Sequence, residues 1–133
     1  MGHGNRFEGK IENGHFVIAD QLKWPLSRVI PVEGELVAGF VRPWEFNITR
    51  DYGFTSDLAA KIRHRYIAGS KIRLELERLD GAGHIKVELS PEKCRELQLE
   101  VGETIGLTPL SVQLFRQDGK LIPEIQAELN WSI

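Results

Sequence analysis

The sequence has little cysteine, no long apolar run and no large excess of charge of either sign. Cys94 is the only cysteine among 133 residues, which excludes an intrachain disulfide and favours a reducing compartment. No apolar stretch is long enough to span a bilayer as a helix. The formal net charge of -2 gives no general footprint for nucleic acid or for an acidic membrane surface. The length fits one domain.

The sequence also lacks the motifs of common catalytic and cofactor-binding sites. A phosphate-binding loop needs upstream glycines and a Lys followed by Ser or Thr, and Gly69-Ser70-Lys71 has neither. The four histidines are far apart and have no cysteine or carboxylate at metal-ligand spacing. No nucleophile with a base, and no pair of carboxylates, stands out. We therefore expect a non-catalytic chain that binds no metal and no cofactor.

The sequence does contain a succession of short segments in which apolar and polar residues alternate, as in β-strands. Asn13-Gly14 joins two runs that contain apolar residues, and Asn-Gly is the strongest local signal for a β-hairpin. Period-two alternation predicts three further strands, over residues 57–66, 71–77 and 84–89. Glycine-containing turns separate these three strands, so they are predicted to form an antiparallel meander. No internal repeat is evident.

One short helix is predicted after the third strand of this meander. Ser90 is a good N-cap and Pro91 is favoured at the first helical position. Cys94 and Leu97 give the helix an apolar side. A mainly β chain with one helix in this place fits a small Greek-key barrel of the OB type, which closes its sheet and hides its edges.

The predicted domain covers residues 5–116. Its N-terminal strands occupy residues 5–49 and include an extra N-terminal hairpin, and its barrel strands occupy residues 57–116. Residues 117–133 form a C-terminal tail with weak patterning. We assign no function to this tail.

A strand break at Arg42-Pro43-Trp44-Glu45 is the most distinctive local feature. Pro43 has no N–H and restricts Arg42 to extended geometry, so the apolar strand that precedes it must break or bend. Trp44 is predicted to plug a corner of the barrel. The alternative is that Trp44 is an anchor at a dimer or partner interface, where tryptophan is enriched.

Two neighbouring strands carry the densest positive charge, and we name their candidate residues the basic strand pair: Arg63, Arg65, Ser70, Lys71 and Arg73. If the turn pairs Arg65 with Lys71, Arg63 lies opposite Arg73 on the outer face. Like charges in that position are unfavourable, and a tetrahedral dianion such as sulfate would relieve them, with Ser70 as a further donor. The simpler alternative is a solvated face balanced by nearby glutamates, namely Glu75, Glu77 and Glu88.

The same alternation predicts that His64 and Tyr66 share the apolar face of their strand. Binding of single-stranded nucleic acid needs exposed aromatic rings beside the cations. The sequence therefore does not favour nucleic acid as a partner of this face.

Several segments, in order, resemble the C-terminal domain of the ATP-binding subunits of bacterial sulfate/thiosulfate-type importers. They are NRFEGKIENGHF, GFVRPWEFNITR and the stretch from AAKIRHRYIAGSKIRLELERL through VELSPEKCRELQLEVG to VQLF. The last stretch resembles the TOBE module of oxyanion importers: a strand, a glycine turn, a charged strand, VELS, a short helix, L-x-x-G and a closing V-x-L-F. The resemblance covers residues 5–116.

This resemblance implies an OB/TOBE-like regulatory domain without catalytic activity, attached to an ATPase domain in the same parent subunit. It implies a homodimer in the parent transporter, indirect contact with membrane permease subunits and a sulfate-like oxyanion as a ligand. The implied location is cytoplasmic and peripheral to the inner membrane. The alternative, from a different class, is a stand-alone OB-type module that binds nucleic acid or a small anion.

Overall fold

The computed structural model describes residues 4–19, 22–26, 34, 36–50 and 58–116. Within these ranges the first half of the chain forms β1 (Asn5–Glu12), β2 (His15–Ala19), β3 (Leu22–Pro25), β4 (Leu36–Val41) and β5 (Phe46–Thr49). The second half forms β6 (Leu58–Ala68), β7 (Lys71–Arg78), β8 (His84–Leu89), α1 (Pro91–Leu97), β9 (Thr104–Pro109) and β10 (Gln113–Arg116). The prediction of a mainly β chain with one short helix is confirmed.

The strands of the described residues form two five-stranded antiparallel sheets that have the same strand order. The first sheet runs β10-β4-β1-β2-β3 and the second runs β5-β9-β6-β7-β8. The two orders coincide when β1 to β4 are matched with β6 to β9, and β10 with β5. Strand β5 follows β4 in the chain but pairs with β9, whereas β10 follows β9 but pairs with β4. Each sheet therefore takes its fifth strand from the other half of the chain.

This repeated topology was not evident in the sequence because matched positions carry different residues. Phe7 in β1 lies opposite Gly39 in β4, whereas Leu58 in β6 lies opposite Leu107 in β9. Both pairs fill a core. In the first sheet the large side chain comes from β1 alone, whereas in the second sheet both strands contribute a leucine. The two halves share a topology but not their residues, so the sequence shows no detectable repeat.

Local backbone chemistry explains the predicted turn and the helix start. Asn13 and Gly14 adopt positive φ angles of 51° and 74°, as a two-residue hairpin turn requires. The Ser90 hydroxyl accepts a hydrogen bond of 3.0 Å from the Lys93 N–H and Pro91 is the first helical residue. Both features confirm the corresponding predictions.

The first sheet packs around an aromatic cluster. Trp24 lies edge-on to Phe7 and to Phe16, with ring centroids 5.0 Å and 5.9 Å apart. Gly39 makes room for this cluster, because a Cβ placed there would lie 2.6 Å from Cε2 of Phe16. The glycine in β4 is therefore required by packing against the Phe16 ring.

Polar contacts join β8, the outer strand of the second sheet, to the first half of the chain. The Asn5 side chain donates to the Lys86 carbonyl and accepts from the Lys86 N–H, both at 2.8 Å. The Glu88 N–H donates to the Pro43 carbonyl, also at 2.8 Å. One side of β8 is thus bonded across the boundary between the two sheets.

Candidate functional site

A β-bulge in β6 changes which face the basic strand pair presents. The pairing of β6 with β7 shifts between Ile62 and His64, so that Arg63 is the extra residue. Lys71 pairs with Ala68 and Arg73 pairs with Tyr66. The predicted pairing of Arg65 with Lys71, and of Arg63 with Arg73, is therefore wrong.

The bulge also reverses the faces of the residues that follow it. Arg65 pairs with the fully buried Leu74 and so lies on the core-facing side of the sheet. His64 and Tyr66 lie on the outer face instead, where Tyr66 is exposed and its hydroxyl donates to Glu75. The prediction that His64 and Tyr66 share the apolar face is wrong, because one inserted residue moves every later side chain across the sheet.

Glutamates balance the two arginines of the basic strand pair that do share the outer face. Arg63 forms an ion pair of 3.3 Å with Glu77, and Arg73 pairs with Glu88. The hydrogen bond that Arg73 donates to the Glu88 carboxylate, followed by its hydrogen bond with Tyr66, raises the pKa of Arg73. These contacts match the alternative of a charge-balanced face, and the anion-binding role stays a prediction.

Arg65 and Arg50 together hold the chain at the end of α1. Arg65 donates from Nη1 to the Leu99 carbonyl, and Arg50 donates from Nη2 to the Gln98 carbonyl at 3.0 Å. Gln98 has a left-handed conformation, with φ 53°. Carbonyls at a helix C-terminus lack partners within the helix, so these two guanidinium groups have a structural use there.

An open cleft of about 1020 Å³ surrounds this helix end. Arg50 forms a two-pronged pair with Glu103, and its hydrogen bond lowers the pKa of the Glu103 carboxyl. Arg95 also lines the cleft. The cleft is thus rich in arginine, but one of its cations is already neutralised.

Trp44 lies in the crossover that carries the chain from the first sheet to the second. The Glu45 carbonyl accepts from the Leu110 N–H at 2.8 Å, and the Glu45 carboxylate accepts from the Ser111 hydroxyl. The two crossovers, one in each half, are therefore bonded to each other. Trp44 is 58% exposed, so the prediction of a buried corner plug is wrong, and the alternative of an interface anchor remains a prediction.

Lys71 and Trp44, from separate parts of the sequence, line one groove of about 340 Å³ together with Lys93 and Ser90. Ser70 is exposed in the turn that precedes β7. Sequence reasoning missed Lys93 because it belongs to the predicted helix, whose approach to β5 is set only by the fold. Asn5 was missed for the same reason, since its partner Lys86 is distant in the sequence.

The described part of the chain contains no group of three or more His, Cys, Asp or Glu side chains that could hold a metal ion. It also contains no helix of the length and hydropathy needed to cross a membrane.

Comparison with known proteins gives the relationship of the second half of the chain. The family model described as "TOBE-like domain" matches residues 55–110. These residues are similar to a TOBE-like domain. Their bounds enclose β6 to β9 and α1, but neither β5 nor β10, which are the two strands exchanged between the sheets.

Two curated relatives extend the similarity to most of the chain. The sulfate/thiosulfate import ATP-binding protein CysA of Nitrosomonas europaea is 33% identical over 117 residues, which is 86% of this chain and 32% of that protein. The protein of the same name from Methylococcus capsulatus is 30% identical over 116 residues, or 87% and 32%. The chain thus spans about a third of the length of these relatives. The resemblance stated from the sequence is confirmed.

A solved structure with the same fold is the molybdate-bound form of the cytoplasmic molybdate-binding protein ModG. The TM-score is 0.63 at 16% identity, with 82% of this chain and 92% of that chain covered. The OB/TOBE-like fold class predicted from the sequence is confirmed.

Proposed function

We propose that this chain is the regulatory and dimerisation domain of the ATP-binding subunit of a bacterial ABC importer for sulfate, thiosulfate or a related oxyanion. The observation that carries the proposal is the similarity of 86% of the chain to an importer subunit at 33% identity. Because the chain spans about a third of that relative, an ATPase domain in the same parent subunit would perform ATP hydrolysis. The domain itself would have no catalytic role.

The geometry supports a mechanical role for the domain in the parent transporter. The exchange of β5 and β10 ties the two sheets into one unit, and the exposed Trp44 offers a large apolar contact at its surface. Such a unit would hold two ATP-binding subunits together while their nucleotide sites open and close, and would contact the permease subunits only indirectly. Its location would be cytoplasmic, peripheral to the inner membrane.

The decisive experiment is to read the native coding sequence upstream of Met1. We expect an ATPase domain with a phosphate-binding loop of the form G-x-x-x-x-G-K-[ST]. A native start at Met1, with no such domain in the same gene product, would refute the assignment and favour a stand-alone module.

Anion sensing by the members of the basic strand pair other than Arg65 is a separate part of the proposal. Ser70 and Lys71 are exposed at the turn, whereas Arg63 and Arg73 would have to exchange their glutamate partners for the anion. Calorimetric titration with sulfate, thiosulfate and molybdate tests this. Heat that disappears in the Lys71→Ala variant is the expected result, and no heat from any of the three at millimolar concentration would exclude sensing here.

One observation favours the alternative of a nucleic-acid-binding module. Tyr66 lies on the outer face beside Arg73, which places an aromatic ring next to a cation, as base stacking requires. Titration with single-stranded oligonucleotides at two salt concentrations tests this alternative. An oligonucleotide affinity that falls steeply with salt would support this alternative, and no binding at low salt would exclude it.

A further inference from the structure

A groove lies where the two outer strands of the second sheet approach each other. Residues of β5 and of β8 line it from opposite sides, and Trp44, Lys71, Ser90 and Lys93 complete it. We call it the edge groove. Its volume of about 340 Å³ is at the lower end of the range for binding sites. At one end β8 is already bonded to Asn5 and Pro43, so the open part lies beside β5.

The edge of β5 presents backbone groups that the sheet does not use. Hydrogen-bonded pairs alternate along an antiparallel ladder. The bond from the Leu110 N–H to the Glu45 carbonyl fixes this alternation, so that Asn47 and Thr49 bond to β9. The N–H and C=O groups of Phe46 and Ile48 therefore point away from β9, toward the edge groove. Among the described residues no strand pairs with this edge of β5, and an unpaired edge is a template for a further strand.

The charge of the edge groove is positive. Lys71 and Lys93 line it, and neither ammonium group forms an ion pair with any residue that the structure describes. Glu88 also lines the groove, but Arg73 neutralises its carboxylate. Two cations that have no ion-pair partner among the described residues, beside an exposed indole, favour an occupant that carries carboxylates and apolar side chains together.

We propose that an extended acidic segment of a partner protein adds to β5 as a new edge strand in this groove. Its backbone pairs with Phe46 and Ile48, its carboxylates meet Lys71 and Lys93, and an apolar side chain packs on Trp44. Main-chain hydrogen bonds would supply affinity and the side-chain contacts would supply specificity, as in other cases of strand addition. This inference does not depend on the transport assignment.

The test uses the full chain and two short capped peptides, one with alternating Val and Glu and one with alternating Val and Lys. We expect the Val/Glu peptide to shift the amide resonances of Phe46 to Thr49 in NMR titrations and to slow hydrogen exchange of the Phe46 and Ile48 amides. The Lys71→Glu/Lys93→Glu variant should weaken this binding about tenfold, because attraction becomes repulsion at two sites. The Lys10→Glu/Lys23→Glu variant is the matched control, since both lysines lie on the first sheet, and it should bind as the unaltered chain does.

Four results of the peptide titrations would overturn the proposal. They are no shifts at millimolar peptide, equal binding of the two peptides, equal weakening by the two double variants, and shifts centred on β3 or β10. Sodium sulfate is titrated separately. If sulfate shifts the same β5 resonances, and no peptide slows hydrogen exchange of the Phe46 and Ile48 amides, the occupant is a small anion. That result would overturn the proposal that an acidic segment binds here.

Discussion

The Asn5→Ala substitution tests whether the side-chain bridge between the two sheets stabilises the fold. Asn5 is 6% exposed, although it is polar. Its amide donates to the Lys86 carbonyl and its carbonyl oxygen accepts from the Lys86 N–H. The bridge imitates one step of a β-ladder, and alanine removes both of its hydrogen bonds together with a third, longer one of 3.3 Å that the Asn5 amide donates to the Val41 carbonyl.

The expected loss follows from the number of backbone groups left without partners. A hydrogen bond contributes about 1 kcal/mol net, and a buried group left unsatisfied costs about 1–3 kcal/mol. The Lys86 N–H and C=O are only partly buried, so water would satisfy them in part. We therefore expect the free energy of unfolding to fall by about 2 kcal/mol, near the lower end of the sum.

Urea unfolding monitored by circular dichroism measures this loss as a lower midpoint at an unchanged slope. Asn47→Ala is the matched control, because Asn47 is exposed on the outer strand β5, and it should change the free energy of unfolding by less than about 0.5 kcal/mol. Equal effects of the two substitutions would refute the reasoning, since they would show that the bridge to Lys86 contributes nothing beyond an exposed asparagine.

Three further predictions concern single side chains, each measured by urea unfolding. Gly39→Val should cost about 2–3 kcal/mol, because its Cβ would lie 2.6 Å from Cε2 of Phe16, and no loss would contradict the packing argument. Burial raises the pKa of Asp80, but hydrogen bonds from Arg78 and Ala82 outweigh it and lower the pKa overall. The stabilisation by this carboxylate is therefore present above its ordinary pKa and is lost as the pH falls through the folded pKa. The Asp80 side chain is 37% exposed and solvent screens its pair with Arg78, so Asp80→Asn should cost about 0.5 kcal/mol at pH 7 and less at pH 2. An equal cost at both pH values would be inconsistent with this linkage. Arg65→Ala should cost about 1 kcal/mol and leave sulfate calorimetry unchanged, whereas loss of a sulfate signal would restore Arg65 as a ligand.

The sequence predicted the features that depend on neighbouring residues. The Asn13-Gly14 turn, the helix start at Ser90 and the strand character of β6 to β8 each follow from chemistry contained within a few positions. The break after Arg42 was also predicted, because Pro43 constrains its own and the preceding residue. Such features need no knowledge of the remaining chain.

The wrong predictions concern side chains whose face or burial is set by the whole fold and not by neighbouring residues. Period-two alternation in β6 continues through Arg63, so nothing in the sequence indicates that this residue is a bulge. Once it is inserted, Arg65 leaves the outer face and Tyr66 joins it. The exposure of Trp44 was missed for a related reason, since the sequence predicts a strand break but not that the chain crosses to another sheet there.

The strand exchange bears on how large a folding unit the chain contains. Residues 55–110 match the TOBE-like family, yet the sheet that they build takes β5 from before this segment, and β10 follows it to complete the other sheet. A segment cut at those bounds would leave one side of β9 without its partner, and an unpaired edge is a site for association. The two crossovers are also bonded to each other through Glu45 and Leu110. These contacts support our proposal that residues 5–116 act as one domain, because neither sheet is complete without a strand from the other half.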